Sequence, residues 1–233
     1  MGELTDVERD VARMAEYWGE RKMGWREEAA AEFERAVRPL AFFEEPPARD
    51  RIDAVNMCFT EWALFERPLR RGRTPLQLYV EAASEDAREV SLCRLRQVEQ
   101  TQFFSRFAIL GKDLDRGIAL LRDVRTGGEY DVLDPFLCSR DRWSAGTIAE
   151  RVACVDGVWQ VVGQARLYDH ATPDETAHDG PGELHPEDAD DAALRDASFF
   201  LRLVRDVMGL DGRYAQTLSL RKLTPPCRRT GRG

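Results

Sequence analysis

The side chains with the most evident chemical potential are three histidines in an acidic stretch. His170, His178 and His185 lie in or beside residues 169–196, where ten Asp or Glu side chains accompany a single arginine. Imidazole and carboxylate groups can together hold a divalent metal ion. A metal site also needs a rigid surrounding shell, and this Pro- and Gly-rich composition is typical of a solvated loop. We therefore predict a loop here, and we assign no metal-binding residue and no cofactor.

Motifs for nucleophilic or phosphate chemistry do not stand out in this chain. The sequence has neither a G-x-S-x-G elbow nor a P-loop, and its five cysteines are scattered without a C-x-x-C pair. Thr126-Gly127-Gly128 is more typical of a hairpin turn than of a phosphate-binding loop. We predict no catalytic residue and favour a non-enzymatic role, with a hydrolase of unknown type as one alternative.

Basic and aromatic residues in the middle of the chain are the candidates for contact with a nucleic acid or another partner. Aromatic rings can stack on bases while arginines contact phosphates. The candidate contact residues are Arg122, Arg140, Arg142 and Trp143. The net charge of −8, the isoelectric point of about 5.1 and the interspersed acids argue against a nucleic-acid footprint. Another protein is therefore the first expected partner, and a nucleic acid is the alternative.

Composition is typical of a folded cytoplasmic protein. The chain has 233 residues, of which 43% are hydrophobic, so it can bury a sizeable core. Its first 25 residues are polar and acidic, and no run of 18 apolar residues follows. An odd, scattered set of cysteines indicates reduced thiols. We expect a cytoplasmic protein without a membrane partner, whose oligomeric state the sequence leaves open.

Helical periodicity dominates residues 1–102, which we predict as a helical domain. Residues 5–43 favour one helix or two, because Gly19 and Gly24 weaken the middle. A third helix ends before Pro68, a fourth begins at Thr74-Pro75 and a fifth follows Ser84. The third helix carries an apolar face that we expect to be buried, and the arginines after it should lie in a solvated turn. That face is formed by Val55, Cys58, Phe59, Trp62, Leu64 and Phe65.

A period of two replaces the helical period near residue 103. Residues 104–112 and 117–124 favour strands, and Asp156-Gly157 is typical of a two-residue hairpin turn. We count about five short strands before residue 169, which indicates a small β-domain over residues 103–169. An acidic linker over 170–186 and a C-terminal helix with a basic tail over 187–233 complete the predicted organisation. Pro186 is expected to begin that helix and Gly209 to end it.

The predicted fold class is therefore α+β. An N-terminal helical half precedes a small, strongly bent antiparallel sheet or barrel of about five strands, and a C-terminal helix follows.

A set of residues between 59 and about 168 carries a family resemblance. They are Phe59, Trp62, Leu64, Phe65, Glu66, Leu69, Gly72, Thr74, Pro75, Leu76, Leu121, Arg122, Asp123, Thr126, Gly127, Tyr130, Val132, Gly146, Thr147, Trp159 and Gly163. Their order resembles the shared core of bacterial proteins that often carry a C-terminal SEC-C zinc motif. The resemblance implies a helical half followed by a β-domain, and it implies no known reaction.

The end of the chain departs from that family. The SEC-C motif needs a C-x-C pair and a later Cys-Cys or Cys-His pair, whereas this chain ends in TPPCRRTGRG with the lone Cys227. The zinc module and any chaperone-like role attached to it therefore do not carry over. We expect a non-enzymatic binding or adaptor protein whose ligand or partner lies between the helical half and the β-domain. An RNA- or nucleic-acid-associated module using the β-domain is the second expectation.

Overall fold

Helices form the beginning and the end of the described chain, and strands form its middle. The structure, a computed structural model, describes residues 4–20, 25–46, 48–82, 89–170 and 180–214. The helices are α1 (Asp6–Glu20), α2 (Trp25–Val37), α3 (Arg49–Phe65), α4 (Pro75–Glu81), α5 (Glu89–Thr101), α6 (Pro135–Cys138), α7 (Ala192–Asp196) and α8 (Phe199–Met208). The strands are β1 (Phe103–Asp113), β2 (Ile118–Asp123), β3 (Glu129–Leu133), β4 (Thr147–Val155), β5 (Val158–Val161) and β6 (Leu167–Asp169). Short 3-10 turns span Leu40–Phe42 and Pro186–Asp188.

Five of the strands close into a small barrel. β1 pairs with both β2 and β4, and the ring continues through β3 and β5. Neighbours are antiparallel except β3 and β5, which run parallel. β6 extends the sheet by pairing with the first residues of β4. The predicted α+β class, with a helical N-terminal half, a barrel of about five strands and a C-terminal helix, is confirmed, but the barrel is mixed rather than purely antiparallel as predicted, because β3 and β5 run parallel.

Two short sequence motifs form the structures that they predict, a helix start at Thr74-Pro75 and a hairpin turn at Asp156-Gly157. The Thr74 hydroxyl accepts a hydrogen bond from the Gln77 amide, and the Gln77 side chain accepts one from the Thr74 amide, which begins α4 with Pro75 in its first turn. Asp156 and Gly157 both have positive φ, 52° and 79°, between β4 and β5. That is the conformation required by a type I′ hairpin turn, which Asp-Gly favours.

The apolar face of α3 is buried, as its spacing predicts. Trp62 is 7% exposed, and its ring centroid lies 5.7 Å from that of Phe33 on α2. Cys58 and Phe65 are also buried, while Phe59 is half-buried. Arg71 lies exposed in the following turn. Aromatic packing between helices, rather than ligand recognition, therefore explains these residues.

The C-terminal segment differs from the single helix that the sequence predicts after Pro186. The structure has a 3-10 turn, then α7, then α8, whose first turn is capped by the Ser198 hydroxyl accepting from the Leu201 amide at 3.3 Å. Ser is a strong cap, and its interruption outweighs the continuous apolar pattern. Gly209 follows α8 as expected. Residues 171–179 of the linker and 215–233 of the tail lie outside the described chain.

Three buried clusters hold these elements together. One fills the barrel, one joins α2, α3 and α8 to the outer face of β1 and β4, and one joins α1, α4 and α5 to the same sheet. Phe200 of α8 packs edge-on against Phe104 of β1, with centroids 4.6 Å apart. In the described part of the chain, no helix is long and apolar enough to cross a membrane.

Candidate functional site

The parallel pairing of β3 and β5 brings buried polar side chains together at one rim of the barrel. Because the two strands run in the same direction, their carboxyl ends reach the same rim of the barrel. Asp134 directly follows β3, and Arg166 lies in the segment after β5. Glu150 of β4 lies on the same strand face as Ile148 and Val152, which belong to the barrel core. Four charged side chains meet at this rim once α1 supplies Glu8.

We call Glu8, Asp134, Glu150 and Arg166 the rim cluster. The Arg166 Nη2 atom donates to the Glu8 Oε1 atom at 3.0 Å and lies 3.6 Å from the Asp134 Oδ1 atom. The Arg166 Nε atom lies 3.9 Å from the Glu150 Oε2 atom. The side chains of Asp134 and Glu150 are completely buried, and the other two are 12–14% exposed. Three acids therefore surround one arginine away from water.

Several buried atoms of the rim cluster have no hydrogen-bond partner within the described residues. The Asp134 Oδ1 atom accepts from the Leu137 amide at 3.0 Å, but Oδ2 accepts from nothing there. Both oxygens of Glu150 and the Arg166 Nε atom also lack a hydrogen-bond partner among the described residues. Buried polar atoms are hydrogen-bonded in most proteins, and an unpartnered one costs roughly 1–3 kcal/mol. The rim cluster therefore retains unused capacity to accept hydrogen bonds.

Burial shifts the pKa of two members of the rim cluster, Glu150 and Arg166. It raises the pKa of Glu150 well above its usual range, and the neighbouring Asp134 carboxylate raises it further, while Arg166 opposes both effects. A protonated Glu150 can donate a hydrogen bond to Asp134, whereas two carboxylates cannot donate at all. Burial alone would lower the pKa of Arg166, but the three carboxyl groups outweigh burial and raise it. The site therefore favours a neutral Glu150 next to Asp134 and the charged guanidinium group of Arg166.

A small cavity lies between the rim cluster and the start of α1. Its volume is about 60 Å³. Its walls are Leu4, Glu8, Leu133, Asp134, Pro135, Phe136 and Arg166. The Arg166 and Arg140 guanidinium carbons lie 5.0 Å and 4.4 Å from the Phe136 ring centroid. The cavity therefore combines two carboxyl groups with apolar and aromatic walls, which suits a small group that donates N–H bonds.

A second charged group, which we call the hub, joins α3 to the barrel. The Arg151 Nε atom donates to Glu61 at 3.0 Å, Nη2 to Glu66 at 2.6 Å and Nη1 to Gln102 at 2.5 Å. The second oxygen of Glu61 accepts from the amides of Gln164 and Ala165, each at 2.8 Å. Within the described chain only the Glu66 Oε2 atom of this group lacks a partner. The hub therefore acts as a structural link.

The predicted contact residues do not form one open surface. Trp143 is 1% exposed, and its ring stacks on Tyr168 with centroids 5.0 Å apart. A base cannot reach that ring in this conformation. Arg122 pairs with Glu129 at 2.8 Å on the exposed face, Arg140 covers Phe136, and Arg142 is exposed. Contact of these arginines with a nucleic acid or a partner stays a prediction.

The two described histidines, His170 and His185, have different partners. The His170 Nδ1 atom lies 3.1 Å from the Tyr168 hydroxyl, His185 lies buried beside α8, and His178 falls outside the described residues. Over residues 4–20, 25–46, 48–82, 89–170 and 180–214, no group of three or more His, Cys, Asp or Glu side chains is placed to hold a metal ion.

Comparison of this chain with protein families, with curated proteins and with solved structures finds no match. The resemblance to the SEC-C-containing proteins therefore stays a prediction, and the geometry of the site is the basis for its function.

Proposed function

We propose that this chain is a non-enzymatic binding or adaptor protein that holds a lysine-type ammonium group of a partner protein. The group enters the cavity between α1 and the barrel rim, which is where the sequence predicts a partner between the helical half and the β-domain. The observation that carries the proposal is the fully buried Asp134 carboxyl group, which lines the cavity and whose oxygens each accept at most one hydrogen bond from the described residues, although each can accept two.

Charge supports a cationic occupant. The raised pKa of Glu150 favours its neutral form, and the rim cluster still holds two further acidic side chains, Glu8 and Asp134, against the single Arg166, an excess of one acidic group. An ammonium group neutralises this excess and offers three N–H donors. A buried charge that is both paired and hydrogen-bonded avoids the large cost of an isolated one.

Shape supports an alkyl chain behind that charge. Leu4, Leu133 and Pro135 also line the cavity, and methylene groups pack favourably on such apolar walls. A lysine side chain combines the alkyl chain and the charge that these walls require.

Titration of the protein with n-butylammonium ion tests this function, because that ion mimics the end of a lysine side chain. Amide chemical shifts followed by NMR should change in a saturable way at Asp134, Phe136 and Arg166. Asp134→Asn should weaken binding by about tenfold or more, since a hydrogen bond to a charged group is worth roughly 1.5–3 kcal/mol. Asn keeps an oxygen for the Leu137 amide, so α6 should remain capped.

Two controls make the experiment decisive. Asp131→Asn, on the exposed face of β3, should leave the affinity unchanged. n-Butanol, which has the same chain without the charge, should not saturate the site. Equal binding of the alcohol, or equal affinity of the two variants, would contradict the proposal. A peptide with one lysine should then compete with n-butylammonium, and the same peptide with norleucine should not.

The alternatives from the sequence receive less support. Nucleic-acid binding loses the Trp143 ring as a stacking platform, and no contact in the described chain favours the hydrolase.

A further inference from the structure

A second cavity, of about 140 Å³, lies within the C-terminal segment and is independent of the rim cluster. Residues 183–213 supply its lining, including His185 and three arginines. The apolar face of α8 packs on the barrel and on α2 and α3, and polar residues of α8 line the cavity. We therefore considered which of the charged groups around this space are already paired.

Three of the four carboxyl groups that line the cavity are paired with arginines. Glu183 accepts from the Arg125 Nε atom at 2.9 Å, and Asp188 accepts from the Arg213 Nη1 atom at 2.6 Å. Asp211 accepts from Arg38 at 2.5 Å. These ion pairs cancel most of the negative charge of the lining.

The fourth carboxyl group belongs to Asp206, which is 7% exposed. Its Oδ2 atom accepts from the Gly182 amide at 2.8 Å and lies 3.9 Å from the His185 Nε2 atom. The His185 side chain is 8% exposed, and its buried Nε2 atom has no hydrogen-bond partner among the described residues. Burial raises the pKa of Asp206, and the Gly182 amide and His185 oppose that effect. A buried ring nitrogen and a buried acid therefore lie side by side at the cavity.

Two arginines of α8 supply donors to the same space. The Arg202 Nε atom donates to the Gly182 carbonyl at 2.9 Å, and Nη1 donates to the Ala197 carbonyl, which holds the guanidinium group in place. Arg205 also lines the cavity, and no carboxylate of the described chain lies within ion-pair distance of it. Guanidinium groups are well suited to planar, paired hydrogen bonds with oxyanions.

We propose that this cavity binds a tetrahedral phosphate group, either free phosphate or the phosphate of a small monoester. Arg205 and Arg202 donate to its oxygens, and the His185 Nε2–H group donates to a third. Asp206 accepts from the hydroxyl of a singly protonated phosphate, so the site distinguishes phosphate from sulfate, which has no proton to donate. The cavity is smaller than an ordinary drug-sized pocket, which restricts the ligand to this class.

Calorimetric titration of the full chain at pH 6, close to the second pKa of a phosphate monoester at about 6, tests the proposal. The probes are inorganic phosphate, glycerol 3-phosphate and sulfate at equal ionic strength. Saturable binding of either phosphate compound, tighter than that of sulfate, is expected. The compound that binds more tightly identifies the source of the phosphate group. Absence of saturable binding by both phosphate compounds at millimolar concentration would overturn the proposal.

Variants locate the binding and separate it from the rim cluster. Arg205→Gln should weaken phosphate binding about tenfold, while Arg195→Gln, on exposed α7, should not change it. Asp206→Asn, which keeps an acceptor for the Gly182 amide, should reduce the preference for phosphate over sulfate, measured as the ratio of their affinities. Equal affinities of the Arg205 and Arg195 variants would also overturn the site. Asp134→Asn should leave phosphate binding intact, so this proposal and the proposed function can fail separately.

Discussion

Arg151 and Arg166 each lie among carboxyl groups where helices meet the barrel, but their hydrogen bonding differs. Every nitrogen of Arg151 donates to a side chain, and both oxygens of Glu61 accept. The Arg166 Nη2 atom donates to Glu8, while its Nε atom has no partner in the described chain. A satisfied buried network fixes one arrangement, whereas an incompletely satisfied one is costly unless something else completes it. The hub around Arg151 is therefore a structural link, whereas the rim cluster around Arg166 has capacity to bind a ligand.

Position in the strand explains why two such clusters lie so close together. Glu150 and Arg151 are neighbours in β4, so their side chains point to opposite faces of the strand. Arg151 meets α3 on the outer face, and Glu150 lies toward the barrel core. Helices cover one face and the barrel encloses the other, so both side chains are buried.

Arg151→Met should have the largest effect on stability. The change leaves Glu61 and Glu66 without their arginine in a buried place, and breaking such a pair costs about 3–5 kcal/mol. Urea unfolding followed by circular dichroism measures the loss. Arg96→Met, on the exposed face of α5, is the control and should change the free energy of unfolding little. A loss of less than about 1 kcal/mol for Arg151→Met would mean that the hub does not link the two halves.

Gly163→Ala should weaken the same link from the opposite side. A Cβ atom at residue 163 would lie 2.5 Å from the Glu61 Oε2 atom, which is closer than real Cβ contacts. The carboxyl group must shift away from the amides of Gln164 and Ala165, and such overpacking costs about 1–3 kcal/mol. Gly111→Ala, where no atom lies within 4 Å, provides the control. Equal unfolding midpoints for the two variants would show that the loop after β5 adjusts without cost.

The sequence predicts the elements of this molecule better than it predicts the rim cluster. Thr74-Pro75 and Asp156-Gly157 carry their structural information locally, because caps and tight turns depend on a few adjacent residues. The rim cluster depends on the parallel pairing of β3 with β5. That pairing forms only when the barrel closes, and it joins segments that are far apart in the sequence. Glu and Arg are residue types that are mostly exposed, so the sequence of β4 does not indicate that Glu150 and Arg151 are buried, and only the covering of both strand faces reveals it. The single helix predicted after Pro186 is wrong because Ser198 caps a new one.

Glu150→Gln should show how the rim cluster differs from the hub. Gln resembles protonated Glu150, so the variant should be at least as stable as the natural protein at pH 7. The raised pKa of Glu150 gives a stabilisation that is complete below the unfolded carboxyl pKa of about 4.3 and is lost as the pH rises through the folded pKa. The natural protein should therefore lose stability over that window relative to the variant. Urea midpoints between pH 4 and pH 8 measure the difference.

Glu16→Gln, on the exposed face of α1, is the control for this pH series. Its unfolding midpoints should follow those of the natural protein at every pH. A loss of several kcal/mol in Glu150→Gln at pH 7 would instead mean that Glu150 is an ionised partner of Arg166. The contrast between the two clusters would then be wrong.

Arg122→Gln should have the smallest effect, and it isolates burial as the cause of the contrast. The Arg122 Nη2 atom lies 2.8 Å from Glu129, a distance similar to those in the hub, but both side chains are about half exposed. Exposed ion pairs contribute roughly 0–1 kcal/mol, and salt screens them. The variant should therefore lose less than about 1 kcal/mol in the urea experiment. A loss as large as that of Arg151→Met would mean that pairing, rather than burial, gives the hub its strength.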